Sequence, residues 1–342
     1  MYMLLATILA APIHLNSNPN YCLGTSGNGT SPGVAVQVHT CNGGPSQDWS
    51  VGTTATPAAT PPSNPAPTAS APSTQAGVAS SLVDPNTPGK SGYHAVFSDE
   101  FNGAQLDLTK WNLECDGSGG GNNELEYYIA FPQNHFLQNS NLTIRAVKGA
   151  FLNQQWTSAK LTTKGLFDFQ TGYVEFRAKI PNGQGAWPAL WAMPKDMIYG
   201  AWPTSGEIDI MEILGGDPGK LYATLHYGKP WPNQQQIGGV STATPGTDYS
   251  QDFHIYAVDW QTDHMDFYID GAKYFTVNAT DATWGTGVQG AASSTAPNGW
   301  PFNQPFYLIM NLAVGGAWPG APDPKYSSFD FVIDYARVYA KD

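Results

Sequence analysis

Beyond residue 90, apolar and polar residues alternate in short runs, the period of a β-strand with one buried face. In Tyr173-Val-Glu-Phe-Arg-Ala-Lys-Ile180, the side chains of Val174, Phe176, Ala178 and Ile180 fall on one side. Residues 253–277 predict strand, turn, strand and then a hairpin at Asp270-Gly271, a dipeptide suited to the positive-φ positions of a primed turn. Residues 306–314 and 329–339 are apolar enough for central strands, and no long stretch carries the period of an amphipathic helix. Many short strands punctuated by Gly, Pro and Asn predict an all-β fold of two packed antiparallel sheets.

One strand stands out. In Gly206-Glu-Ile-Asp-Ile-Met-Glu-Ile213, three carboxylates interleave with apolar residues. Like charges on one face raise one another's pKa, a cost a chain accepts most readily where a raised pKa is useful. Glycoside hydrolysis is such a case: one carboxylate attacks or steadies the sugar cation while a second, held protonated, donates to the leaving oxygen. Strict alternation puts Glu207 and Asp209 on one face and turns Glu212 to the other. One extra residue bulging out near Ile210 or Met211 returns Glu212 to the acidic face, so the spacing predicts a β-bulge there.

The stretch Trp202-Pro-Thr-Ser-Gly-Glu-Ile-Asp-Ile-Met-Glu212 resembles the active-site signature of glycoside hydrolase family 16, in the bulged form found in endo-1,3-β-glucanases (laminarinases). Asn122-Asn-Glu-Leu-Glu-Tyr-Tyr128, Gly185-Ala-Trp-Pro-Ala-Leu-Trp191, Leu225-His-Tyr-Gly228 and the run from Trp300-Pro-Phe to Ala-Val-Gly-Gly316 resemble the same family, in its order. Two residues depart from it: Glu126 stands where Gln is expected, and Ala317 where Asn usually precedes Trp318-Pro-Gly.

The resemblance implies a concanavalin A-like β-jelly-roll sandwich with a cleft across its concave sheet. It implies Glu207 as nucleophile, Glu212 as general acid/base and Asp209 as the hydrogen-bonding group between them. A retaining enzyme needs its two carboxyls about 5–5.5 Å apart, which same-face strand positions can supply. Trp187, Trp191 and Trp202 are expected to floor the sugar subsites, against the alternative that they are core. His226, Asn123 and Arg177 are candidates for substrate contacts, with a surface ion pair the competing role for Arg177. No cofactor is expected for catalysis. Family members often hold a structural Ca²⁺ on the convex face, and Glu100 and Asp334 match those regions.

Composition marks the boundaries. Lys and Arg are absent from the first 84 residues, and residues 52–79 are free of charge and rich in Pro, Ala, Thr and Ser, the composition of a semi-rigid linker. The expected organisation is an apolar signal-peptide remnant at 1–12, a small segment at 13–51, a linker at 52–84 and a catalytic domain at 85–342. Tyr21-Cys-Leu-Gly24, residues 34–41 and Gln47-Asp-Trp49 resemble the last repeat of a ricin-type β-trefoil lectin. A trefoil needs three repeats to close its core, so the segment is expected to be a remnant. Cys22 and Cys41 are expected to pair within it, which implies an oxidising, extracytoplasmic setting and secretion. Cys115 is left as a buried or loop thiol.

The formal net charge of −12 argues against nucleic-acid and anionic-membrane partners, which need basic patches, and suits a neutral polymer. The chain is expected to be a secreted monomer that hydrolyses internal 1,3-β-glucosidic bonds with retention. A family 16 enzyme acting on mixed-linkage glucan or a galactan is the second reading, and a non-catalytic β-glucan-binding protein the third. Retention of all three acids counts against the last.

Overall fold

The computed structural model describes residues 11–12, 14–15, 18–25, 36–40, 48–49, 82–230, 232, 234–280 and 299–342. The chain divides into two compact units, Met1–Ala79 and Ser80–Asp342. In the first, Asn18–Thr25 pairs antiparallel with Val36–Thr40, from Tyr21↔Thr40 to Thr25↔Val36. Cys41, and with it the expected Cys22–Cys41 bridge, lies outside the described residues, as do residues 1–10 of the expected signal-peptide remnant (1–12) and residues 52–81 of the expected linker (52–84).

The second unit is all-β, with no α-helix among its described residues. A seven-stranded sheet runs in the order Gln234–Thr242, Lys220–Gly228, Glu207–Ile213, Ala186–Pro194, Phe306–Val314, Lys160–Thr162, Asn112–Leu113. The facing ten-stranded sheet is built around Ser328–Lys341, flanked by Gly172–Lys179 on one side and Asn141–Phe151 on the other. Strands far apart in sequence become neighbours, as where Ala186–Pro194 lies between Glu207–Ile213 and Phe306–Val314. These crossings make the two layers a jelly roll. Pairing is not wholly antiparallel: Gln154–Ser158 runs parallel to Glu126–Tyr128.

Alternation places the core where the pattern predicts. Val174, Phe176 and Ala178 are fully buried, and Ile180 is nearly so. Each large apolar side chain taken fully out of water contributes about 1.5–3 kcal/mol, so the facing sheets clamp each other firmly. Phe306–Val314 is buried along its whole length, as expected of a central strand. The Asp270-Gly271 turn has φ of 50° and 78°, the two positive values a type I′ hairpin demands. Cys115 is exposed, in the loop after Asn112–Leu113.

Candidate active site

Glu207–Ile213 carries the three acids, and its register explains how they meet. Against Ala186–Pro194, Asp209 pairs with Trp191 and Met211 with Leu190, which leaves Ile210 without a partner. Against Lys220–Gly228, Asp209 pairs with Thr224 and Glu212 with Tyr222, so two residues on one strand oppose Ala223 alone on the other. This is the predicted β-bulge, centred on Ile210. Ile208, Ile210, Met211 and Ile213 all enter the core, and two successive inward side chains free Glu212 to return to the face of Glu207 and Asp209.

Each glutamate is held by an indole. Trp202 Nε1 donates to Glu207 Oε2 at 2.6 Å, and Trp187 Nε1 donates to Glu212 Oε1 at 3.1 Å. Asp209, 3% exposed, lies between them in the strand, with its Oδ2 3.2 Å from His226 Nε2. His226 is the cross-strand partner of Glu207 and stands 3.8 Å from Glu207 Oε1. Trp191 Nε1 donates to Asn311 Oδ1 at 2.7 Å, and Lys160 Nζ lies 5.1 Å from the Trp191 ring centroid.

Burial is the largest influence on all three acids. It lifts Glu207 to about 8, helped by the charge of Asp209 and opposed by His226 and the Trp202 N–H. Burial likewise lifts Asp209 to about 8. Glu212 is raised well above the carboxylate range by burial and then by the charges of Asp209 and Glu207. Two carboxylate charges thus oppose ionisation of Glu212, against one acting on Glu207. The indole donating to each glutamate favours that glutamate's charged form. Ligating atoms of Glu207, Asp209 and His226 lie within 4.8 Å of one another.

The other sequence candidates divide. Trp187, Trp191, Trp202 and His226 join the acids. Asn123 is exposed, at φ 58°, in a loop whose neighbour Asn122 accepts the Ala317 N–H. Arg177 does not reach the cleft: it lies in the opposite sheet, where its Nη1 donates to Asp334 Oδ2 at 2.6 Å. Glu100 is held by a two-pronged contact from Arg337, at 2.8 and 2.7 Å, and accepts from Thr87 as well. Each of the two proposed calcium ligands thus carries a guanidinium that repels a cation, and the pair does not fit Ca²⁺.

Tyr222, Trp318, Asn311 and Tyr128 are the site residues that sequence reasoning passed over. Tyr222 is found only through its pairing with Glu212, and the Trp318 ring meets those of Trp187 and Tyr222 edge-on at 5.2 Å each. Asn311 joins Trp191 to the Tyr128 hydroxyl, which accepts its Nδ2–H at 2.9 Å. Trp318 sits beside the Gly-Gly stretch, so its motif was the available signal.

Residues 123–337 match the family described as Glycosyl hydrolases family 16. "Glucan endo-1,3-beta-glucosidase A1" of Niallia circulans is 40% identical over 276 residues, which cover 76% of this chain and 39% of that protein. "Beta-glucanase" of Rhodothermus marinus is 36% identical over 261 residues, covering 72% of this chain and 85% of that protein. Among solved structures, the laminarinase catalytic domain from Thermotoga maritima superposes with a TM-score of 0.65 at 38% identity, covering 73% of this chain and 98% of that one. With more than half of its length matched, and with relatives of this identity, the chain belongs to glycoside hydrolase family 16.

Proposed function

We propose that this family 16 hydrolase cleaves internal 1,3-β-glucosidic bonds by double displacement, with retention at the anomeric carbon. One observation carries the assignment of roles: the bulge at Ile210 brings Glu212 onto the face of Glu207 and Asp209, and a different indole holds each glutamate. Glu207, with an N–H donor on its carboxylate, attacks the anomeric carbon. Glu212, whose ionisation the charges of both Asp209 and Glu207 oppose, protonates the departing oxygen and then takes a proton from the incoming water. Asp209 lies between them, and its negative charge helps Glu212 keep its proton until the bond breaks. The laminarin-type substrate is supported by the bulged signature and by the named activities of the relatives.

A reducing-sugar assay on laminarin, lichenan and agarose tests the substrate. Laminarin is expected to be cleaved at least about tenfold more efficiently than the other two, roughly 1.4 kcal/mol of barrier. Equal or greater activity on lichenan or agarose overturns the 1,3-glucan assignment, and no activity on any of them overturns the enzymatic one.

The acid limb of kcat/KM reports ionisation of Glu207 and is expected above the ordinary carboxylate value of 4.5, because burial lifts Glu207 to about 8. Trp202→Phe keeps the ring and removes the N–H that favours the charged carboxylate. The limb is then expected to move to higher pH by about one unit, some 1.4 kcal/mol, with kcat down roughly tenfold. An unmoved limb would detach Trp202 from the ionisation of Glu207.

The apolar N-terminal run, the expected cysteine pair and the charge-free linker support secretion, with the catalytic unit carried as a monomer behind a trefoil-derived segment.

A further inference from the structure

Glu126 is a buried acid that the catalytic scheme leaves unused. It is 1% exposed, and its Oε2 accepts the Val314 N–H at 2.7 Å, where Phe306–Val314 ends. The next residues are laid directly on the Asn122-to-Glu126 loop. Leu125 N–H donates to Val314 O at 2.8 Å, and Ala317 N–H donates to Asn122 O at 2.6 Å. A Cβ on Gly316 would stand 2.8 Å from Asn122 O, so only glycine permits this approach. Trp318, at the end of the segment, meets Trp187, and Trp187 Nε1 donates to Glu212. A short chain of contacts therefore runs from the Glu126 carboxyl to the acid/base end of the cleft.

We propose that Glu126 is a positioning residue for that end of the cleft: its carboxyl, while neutral, fastens the Val314-to-Trp318 segment to the loop before it, and loss of its proton loosens Trp318. It rests on Glu212 serving as the acid/base. The carboxyl accepts from Val314 through Oε2, its Oε1 is buried with no hydrogen-bond partner among the described residues, and Glu124, only 8% exposed, is the acid whose charge acts on it. Burial, and next the charge of Glu124, holds Glu126 well above the usual carboxylate range.

Among the described residues its surroundings offer no compensating cation. Glu124 and Tyr128 are its titratable neighbours, on its own loop and strand. From the adjacent strand Gln154–Ser158, Trp156 is its cross-strand partner and is uncharged. From Phe306–Val314 come the Val314 N–H and, through Tyr128, the neutral Asn311. Lys160 faces the Tyr128 and Trp191 rings, at 5.9 and 5.1 Å from their centroids, and is paired with Glu114 at 3.3 Å. A deprotonated Glu126 would thus face Glu124 as one buried carboxylate against another. A glutamine, the residue the family pattern leads one to expect here, makes the same bonds and cannot titrate.

The test compares wild type, Glu126→Gln and Glu126→Leu from about pH 5 to about pH 10, reading Tm without substrate and KM and kcat on the glucan cleaved. An acid raised in the folded state lends stability that is complete below its unfolded pKa and is lost as pH rises through the folded pKa. Wild-type Tm is therefore expected to fall relative to Glu126→Gln as pH rises, and wild-type KM to climb relative to it. At the acid end, Glu126→Gln is expected within about threefold of wild type in kcat/KM, and the kcat limb set by Glu212 is shared by both. Glu126→Leu, which cannot accept from Val314, should raise KM about tenfold at every pH. Flat Tm and KM differences between wild type and Glu126→Gln overturn the proposal. Because Tm needs no substrate, that outcome is separate from a wrong glucan assignment, which appears as a wild type that turns nothing over.

Discussion

Glu207→Gln is expected to lose turnover on every glycoside, whatever its leaving group. The amide keeps the shape of the side chain and removes the charge that attacks, so no glycosyl-enzyme forms. A loss of about 10⁴-fold or more in kcat, roughly 5.5 kcal/mol of barrier, is the size expected for a nucleophile. The bulged strand is unaltered by the change, and Glu207 is not part of the core its neighbours Ile208 and Ile210 occupy, so the fold should stand. Circular dichroism and Tm check that. A variant that folds and keeps more than about one hundredth of the activity, a cost below some 2.7 kcal/mol, would remove Glu207 from the nucleophile's role.

Glu212→Ala should separate substrates that Glu207→Gln does not. Without its proton donor the enzyme fails on natural glucan, whose leaving sugar is poor, by about 10³-fold or more, some 4 kcal/mol. An aryl glycoside with a good leaving group still glycosylates Glu207. The intermediate then waits for a base-activated water that never comes, and added azide should enter in its place, give a β-glycosyl azide and restore turnover. The product's anomeric configuration is the measurement. Azide rescue of Glu207→Ala to an α-azide, with Glu212→Ala unrescued, would exchange the two roles. Here the charges of both Asp209 and Glu207 oppose ionisation of Glu212, only that of Asp209 acts so on Glu207, and the indole donor on Glu207 is the closer of the two, at 2.6 against 3.1 Å, so the expected assignment follows the electrostatics.

The two variants differ in what they say about Asp209. It is the most buried of the three acids, and its charge contributes to raising both glutamates. If Glu212→Ala is rescued and Glu207→Gln is not, Asp209 cannot substitute for either neighbour. Its role is then to set their protons, with His226 Nε2 3.2 Å from its buried Oδ2.

How far sequence reaches here depends on how local each property is. Alternation in residues 173–180 determined which side chains enter the core, because a strand's side-chain period is fixed by its backbone and the buried face must be apolar. The Asp270-Gly271 dipeptide determined its turn for an equally local reason, since few residues accept two successive positive φ values. Even the bulge was legible: five positions between Glu207 and Glu212 put them on opposite faces unless one residue is extra, and Ile210 is that residue. Properties that depend on which strands become neighbours were out of reach. Arg177 sits on a polar strand face in either sheet, and only the crossing of the chain into the ten-stranded layer gave it to Asp334 instead of the cleft. Glu100 and Asp334 had the right chemistry for a cation until Arg337 and Arg177, brought in by strand pairing, took their oxygens. Tyr222 and Asn311 reach the site only through register, across Glu212 and beside Trp191. The sequence by itself determined the acids, the strand that bears them and the bulge that aligns them, because covalent neighbours fix those. The tertiary structure decided what surrounds Glu126 and what holds Trp191, because those partners lie more than a hundred residues away along the chain.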